Sequence, residues 1–202
     1  MGVNLAAYFT RIGYTGPIEP TLGVLHDLHI CHPAAVAFEA LDPFLGRPVE
    51  IDTASVEAKL VHGRRGGYCH EHNALFYDVL SGMGFSVTAL GARVVWMMPG
   101  RVPPKTHRMT LVDLPEAIFI ADVGFGGQTP TAPLRLAPGL EQLTSHGTYR
   151  VMHERGVYVT EMKSGTVGSR CIGSPWRRSP GLTSRWLTGS RRRIREDDSR
   201  GT

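Results

Sequence analysis

The stretch Arg64-Arg65-Gly66-Gly67-Tyr68-Cys69-His70-Glu71-His72-Asn73 divides the chain into two kinds of text. Its two glycines allow a tight turn and a close approach to a partner backbone. Cys69 then opens a helix that runs through Asn73 to Leu80 and stops at Gly82. Upstream, residues 1 to about 83 read as helical. Leu22, Leu25, Leu28 and Ile30 are spaced for one helix face, and Ala34, Ala35, Ala37 and Phe38 follow. Downstream the text turns to β-branched and apolar runs: Phe85–Leu90, Ala92–Met97, His107–Leu114 and Ala117–Val123. Tyr149–Met152 and Gly156–Met162 form another pair around His153–Arg155. Helices first and antiparallel strands after them predict an α+β fold. The expected domains are 1–83, 84–164 and a tail, 165–202.

Cys69 sits where free N–H groups and partial positive charge favour a thiolate. With a nearby histidine, such placement takes a thiol from ~8.5 into the range ~3.5–7.5. The competing reading is a small buried hydrophobe, the ordinary fate of a free cysteine. A metal site of His62, Cys69, His70 and His72 is weaker. His70 and His72 point to different helix faces, and no second ligand pair follows. Cys31, beside His32, lacks a comparable turn and reads as core. Three cysteines without a CxxC motif fit a reducing compartment.

Pairing His107–Val112 with Ala117–Asp122 around Asp113–Glu116 puts His107 opposite Asp122, on a face otherwise made of Met109, Leu111, Ile118 and Ile120. Opposed Cβ atoms lie ~5 Å apart. A carboxylate there fixes the imidazole tautomer, and the other ring nitrogen can take a thiol proton. A structural His–Asp pair at a sheet edge is the alternative. Pro115 and the possibility of a one-residue slip leave the register open. Val123-Gly124-Phe125-Gly126-Gly127 follows, but matches no phosphate-binding fingerprint.

The 202 residues suffice for one or two domains with a core. No run is long and apolar enough to span a membrane, and no basic segment precedes an apolar run at the N-terminus. A cytoplasmic protein is expected. The net charge of +4 is not spread evenly: residues 165–202 hold nine Arg against Glu196, Asp197 and Asp198, so the first 164 carry −2. That argues against a nucleic-acid partner, which would need a basic folded face or arm.

At these residues the chain resembles the arylamine N-acetyltransferases. The likeness lies in Arg65-Gly66-Gly67-Tyr68-Cys69 with Glu71 and Asn73, in Thr106-His107, and in Ala121-Asp122-Val123-Gly124-Phe125-Gly126. Tyr8–Tyr14, Phe38-Glu39 and Leu45-Gly46-Arg47-Pro48 extend it. Ala40, His70 and His72 depart from the family pattern, where an Asn, an aromatic and a Gln are usual. The resemblance implies a helical domain, a β-barrel domain and a third α/β lid, with a cysteine-proteinase-like Cys-His-Asp core. It implies Cys69 as nucleophile, His107 as its proton partner and Asp122 as orienter. Acetyl-CoA is the implied co-substrate, an arylamine or arylhydrazine the acceptor, and no metal is called for. Phe38, Tyr68 and Phe125 are implied as pocket walls, and Thr106 and Gly126 as neighbours of CoA. A thiol hydrolase or transglutaminase-like enzyme could use the same three residues, and an inactive remnant is the other alternative.

The resemblance stops near Ser164. Beyond it, Gly, Ser, Arg, Pro and Thr dominate, without apolar period, as in a disordered basic tail. A one-base shift of family-like codons for Leu-Tyr-Arg-Phe yields Cys171-Ile172-Gly173-Ser174. The same shift of codons for Val-Ala-Asn-Trp-Phe-Thr-Ser-Thr-His-Pro yields Trp186 to Arg195. An out-of-frame tail, a missing lid and impaired activity are therefore expected.

Overall fold

The computed structural model describes residues 2–95, 103–154, 156–163 and the backbone of 169–173. The helical part holds α1 (Leu5–Ile12), α2 (Leu22–Ala35), α3 (Leu41–Phe44), α4 (Thr53–Val56) and α5 (Cys69–Gly82). A π-helical segment, Glu57–His62, continues α4. Short polar residues start three of these helices. The side chains of Asn4, Thr21 and Asp52 accept the N–H groups of Ala7, Val24 and Ser55, and Gly13 ends α1 in the left-handed region at φ 69°.

The buried face of α2 differs from the expected one. Leu25 and Leu28 are buried, but Ile30 is 39% exposed, and His29 and His32 lie inward at 0% exposure. Ala37 and Phe38 lie beyond the helix, where Phe38 forms a parallel bridge with Gly67.

The strands are β1 (Ser86–Val94), β2 (His107–Leu114), β3 (Ala117–Ala121), β4 (Leu134–Arg135), β5 (Glu141–Thr144), β6 (Gly147–Glu154), β7 (Val157–Lys163) and β8 (Ser169–Gly173). They form one antiparallel sheet in the order β4-β3-β2-β1-β8-β7-β6-β5. Met97 lies outside the described residues, as does the tail after Gly173. The tail was expected to lack structure, yet Ser169–Gly173 pairs with both β1 and β7. It fills the ladder positions between those two strands, which would otherwise both be open edges.

Among the described residues no backbone ladder joins β4 to β5, so the sheet they form is not a closed barrel. β4 is two residues long, and Pro133 and Pro138 flank it without N–H groups to donate. The two ends meet instead through the Gln142 side chain, which accepts the Arg135 N–H at 2.7 Å and donates to the Arg135 carbonyl at 3.0 Å.

The β2–β3 register also departs from the expected pairing. Leu114 pairs with Ala117, Leu111 with Ile120 and Thr110 with Ala121, a shift of two residues. Proline favours the first central position of a turn, so the loop is Pro115-Glu116 alone. An even shift preserves the faces. Val112, Leu114, Phe119 and Ala121 pack with Tyr8, Leu25, Leu28, Leu75 and Phe76 of the helices. Met109, Leu111 and Ile120 face the opposite side with Leu134, Tyr149 and Val151. Each fully buried side chain of this size stabilises by about 1.5–3 kcal/mol. The helical core thus clamps α5 onto the back of β2 and β3, which positions the site.

Candidate active site

Three elements converge on Cys69. It is the first residue of α5, His107 is the first residue of β2, and Asp122 follows directly on β3. His107 and Asp122 sit diagonally across the shifted register rather than opposite each other. Their side chains still meet, with Nε2 to Oδ2 at 2.6 Å and both residues buried. Cys69 also acts on the His107 ring and, with Asp122, raises it. The thiol also donates to the Thr106 carbonyl at 3.6 Å.

Charge balance at this pair is unusual for a buried histidine. Burial pushes His107 down, but the Asp122 charge and hydrogen bond, together with Cys69, carry it up to about 10. Burial likewise pushes Asp122 up, and the His107 charge with the hydrogen bonds from His107, Asn73 and Gly124 hold it below the usual carboxylate range. Asp122 Oδ1 accepts the Asn73 Nδ2–H at 2.9 Å and the Gly124 N–H at 3.1 Å. Asn73 Oδ1 returns a bond to the Val123 N–H at 3.2 Å. His29 Nε2 accepts the Asp122 backbone N–H at 3.1 Å.

The glycine turn is fixed from outside. The Gly67 N–H donates to the Ala37 carbonyl, and the Glu39 N–H to the Gly67 carbonyl. A Cβ on Gly66 would lie 2.2 Å from the Ala37 oxygen, so only glycine fits. Glu71 Oε2 accepts the Tyr68 N–H at 3.0 Å and caps α5 just ahead of Cys69. Lys59 bridges Glu71 at 2.7 Å and Asp42 at 2.8 Å, and Arg65 reaches Asp42 at 2.8 Å. Arg65 and Lys59 together pull Asp42 down to about 2.

The remaining expected site residues gather nearby. The Phe125 ring meets His107 edge-on at 5.2 Å. Phe38, 48% exposed, stacks on His72 at 6.0 Å, and a Cβ on Gly126 would touch its ring at 3.3 Å. Tyr68 tilts against His70 at 5.4 Å, and His70 Nε2–H donates to the Thr106 carbonyl at 3.1 Å. Gly124 lets this loop press on α5, since a Cβ there would lie 2.6 Å from His72 Cβ. Sequence reasoning assigned no role to Asn73, His29, Lys59 or Asp42. Asn73 stood in the motif, on a helix face that proves fully buried, and a buried amide needs partners.

The histidines weighed for a metal are otherwise engaged: His62 with Glu57, His70 with Thr106, and His72 with His32 and Ala37. Among the described residues no group of three or more His, Cys, Asp or Glu side chains is placed to hold a metal ion. No helix of the described residues is long and apolar enough to cross a membrane. A cavity on the inner sheet face, lined by Met109, Ile120, Phe125, Tyr149 and Met162, adjoins the site at Asp122 and Phe125, and Cys69 is not among its lining residues.

A thiol, an imidazole and a buried carboxylate in this order are the groups that thiol-dependent enzymes combine. A family model described as N-acetyltransferase matches residues 21–168. The chain is 46% identical over 159 residues to the arylamine N-acetyltransferase / N-hydroxyarylamine O-acetyltransferase of Salmonella typhimurium, covering 79% of this chain and 57% of that one. It superposes on the arylamine N-acetyltransferase of M. tuberculosis with a TM-score of 0.82 and 41% identity, over 88% of this chain and 68% of that one. The Mycobacterium marinum enzyme, solved in complex with CoA, gives a TM-score of 0.82 at 41% identity, over 87% of this chain and 67% of that one. The chain belongs to the arylamine N-acetyltransferase family. It spans a little over half the length of the curated relatives it matches.

Proposed function

We propose that this chain transfers an acetyl group from acetyl-CoA to an arylamine or arylhydrazine through an acetyl-Cys69 thioester. The observation that carries the reading is His107 held between Cys69 and a buried, fully hydrogen-bonded Asp122. Cys69 gives its proton to His107 and attacks the acetyl carbonyl. The tetrahedral adduct collapses, the C–S bond to CoA breaks, and the departing thiolate takes the proton from His107. The amine then attacks the thioester, its proton passes to His107, and Cys69 leaves as thiolate. Asp122 keeps the imidazole oriented and stabilises its charged form, so each proton has a defined station.

Phe38, Tyr68 and Phe125 form the walls for the acyl and aryl groups in this reading, and Thr106 and Gly126 lie by the CoA thioester. The Mycobacterium marinum relative solved with CoA supports that co-substrate. The catalytic part needs no metal, and the cell compartment proposed is the cytoplasm. The same reading takes the sheet as the family's barrel-type domain. It also holds that the codons after 164 are read one base out of the family's frame, which weakens activity. Gene sequence at codons 171–195 decides that point.

The test is direct. Incubation with acetyl-CoA should release CoA and add an acetyl mass to the Cys69 peptide. Cys69→Ala should abolish both, and Cys31→Ala should leave them in place. Folded protein that releases no CoA and gains no acetyl group on Cys69 would overturn the proposal. Amide hydrolysis without acetyl-CoA would point to a thiol hydrolase.

A further inference from the structure

We infer that His72 is a positioning residue that sets the Phe38 wall of the aryl pocket, through a one-way chain of hydrogen bonds beginning at Tyr8. The inference deepens the arylamine reading of Phe38 and rests on it.

The chain runs through buried groups. Tyr8 Oη lies 2.8 Å from His32 Nδ1, His32 Nε2 lies 3.0 Å from His72 Nδ1, and His72 Nε2 lies 3.2 Å from the Ala37 carbonyl. Tyr8 and His32 are 0% exposed and His72 is 1% exposed. A carbonyl only accepts, so His72 Nε2 carries the hydrogen. His72 Nδ1 is then the acceptor, and His32 Nε2 must donate to it. His32 Nδ1 is in turn the acceptor, and the Tyr8 hydroxyl donates. One terminal carbonyl therefore fixes two tautomers and one hydroxyl rotor. Every ring nitrogen in the chain is satisfied while both rings stay neutral.

The groups facing these rings agree with neutrality. Burial, His72, His29 and Arg11 all push His32 well down. Burial pushes His72 down as well, against bonds to Ala37 and Gly67 and the charges of Glu71 and Asp122.

The far end of the chain is the site. Ala37 precedes Phe38, and its carbonyl also accepts the Gly67 N–H of the glycine turn before Cys69. The His72 ring lies under Phe38 at an interplanar angle of 23°. His72 thus holds Phe38 twice, by the backbone just before it and by the face of its ring. Phe38 is half exposed and lacks a core of its own. A half-exposed ring over a fixed platform is where removing one support changes recognition without dissolving the fold.

Glutamine keeps the hydrogen bonds of neutral His72, since its amide both donates and accepts, and it puts a flat amide under Phe38 in place of the ring. Leucine can do neither. The experiment compares alkylation of Cys69 by N-phenylmaleimide and N-methylmaleimide, read on the Cys69 peptide by mass spectrometry. The phenyl-to-methyl rate ratio measures the aryl wall and needs no acetyl transfer. In His72→Leu the ratio should fall about fivefold or more, the scale of one wall contact in an apolar pocket, while His72→Gln stays within about twofold of wild type. Phe38→Ala should lower the ratio as far, and adding His72→Leu to it should lower it no further. If His72→Leu does not fold, Tyr8→Phe carries the test: it keeps both rings but leaves His32 Nδ1, a buried acceptor, without its donor at the head of the chain, and the ratio should drop. A folded His72→Leu protein with an unchanged ratio would overturn the inference, as would a glutamine variant that falls as far as leucine. Wild-type protein that takes up no acetyl group yet shows the maleimide pattern would overturn the acetyltransferase reading and leave the positioning role standing.

Discussion

Two buried regions of this molecule use histidine in opposite ways. At the site, His107 is 2% exposed, yet its affinity for a proton is carried up to about 10. Behind it, His29 and His32 are 0% exposed and stay neutral. Burial pushes all three down, so burial does not distinguish them. The difference is the Asp122 carboxylate at 2.6 Å, aimed at the His107 ring. His29 touches the same residue through its backbone N–H, and that bond requires a bare Nε2 lone pair. A few ångströms of placement around one aspartate decide which histidine can store a proton and which can only relay a hydrogen bond.

Removing the carboxylate should have the largest effect. Asp122→Asn keeps the size and some hydrogen bonds but not the charge that holds His107 up. Acetylation of Cys69 should slow by about 10²–10⁴-fold, the usual worth of a positioned proton carrier. The His107 titration, followed by NMR of its ring, should move well down from near 10, because only Cys69 is then left to oppose burial. An unmoved titration would break the comparison at its root.

The two classes also predict opposite slopes of stability against pH. His107 is raised in the folded state, so its contribution is full below the unfolded value of about 6.5 and fades as pH rises toward 10. His29 is lowered to about 4, so the unfolded chain binds its proton first and stability falls between about pH 6.5 and 4. That fall amounts to about 3 kcal/mol when complete. Urea midpoints should therefore peak near the middle of the range. His29→Gln, which can still accept the Asp122 N–H, should flatten the acid side. Equal acid slopes in the two proteins would remove His29 from the neutral class.

Much of the site was legible in the sequence, and what was missed has physical causes. Gly66 and Gly67 announced a turn before a helix, and the spacing of Cys69, His107 and Asp122 gave the order of the groups. Alternation survived a wrong register because the error was two residues, and Pro115 held the clue in its preference for the first central turn position. The histidines of α2 were hidden because a hydrophobic pattern seeks leucine and isoleucine. It placed Ile30 inward, where His29 and His32 belong. Their partners lie 93 and 40 residues away, a separation that no local period reports. Closure of the sheet was equally non-local. Whether β4 and β5 share a ladder depends on how long a strand the two prolines leave.

The smallest effect comes from a third arrangement, which separates the carboxylate from burial. His62 Nε2 lies 3.2 Å from Glu57 Oε1, but its side chain is 58% exposed. This pair has the partner that His29 and His32 lack and the solvent that His107 lacks. If a carboxylate sufficed, this pair would matter as much as His107 with Asp122. Water screens such a pair, and holding two side chains together costs entropy, so it should contribute about 0–1 kcal/mol. His62→Gln should shift the urea midpoint by no more than about 0.5 kcal/mol in equivalent stability and leave the rate of Cys69 alkylation unchanged. A larger loss would mean that contact with a carboxylate outweighs burial, and the contrast between the two buried regions would then need a different cause.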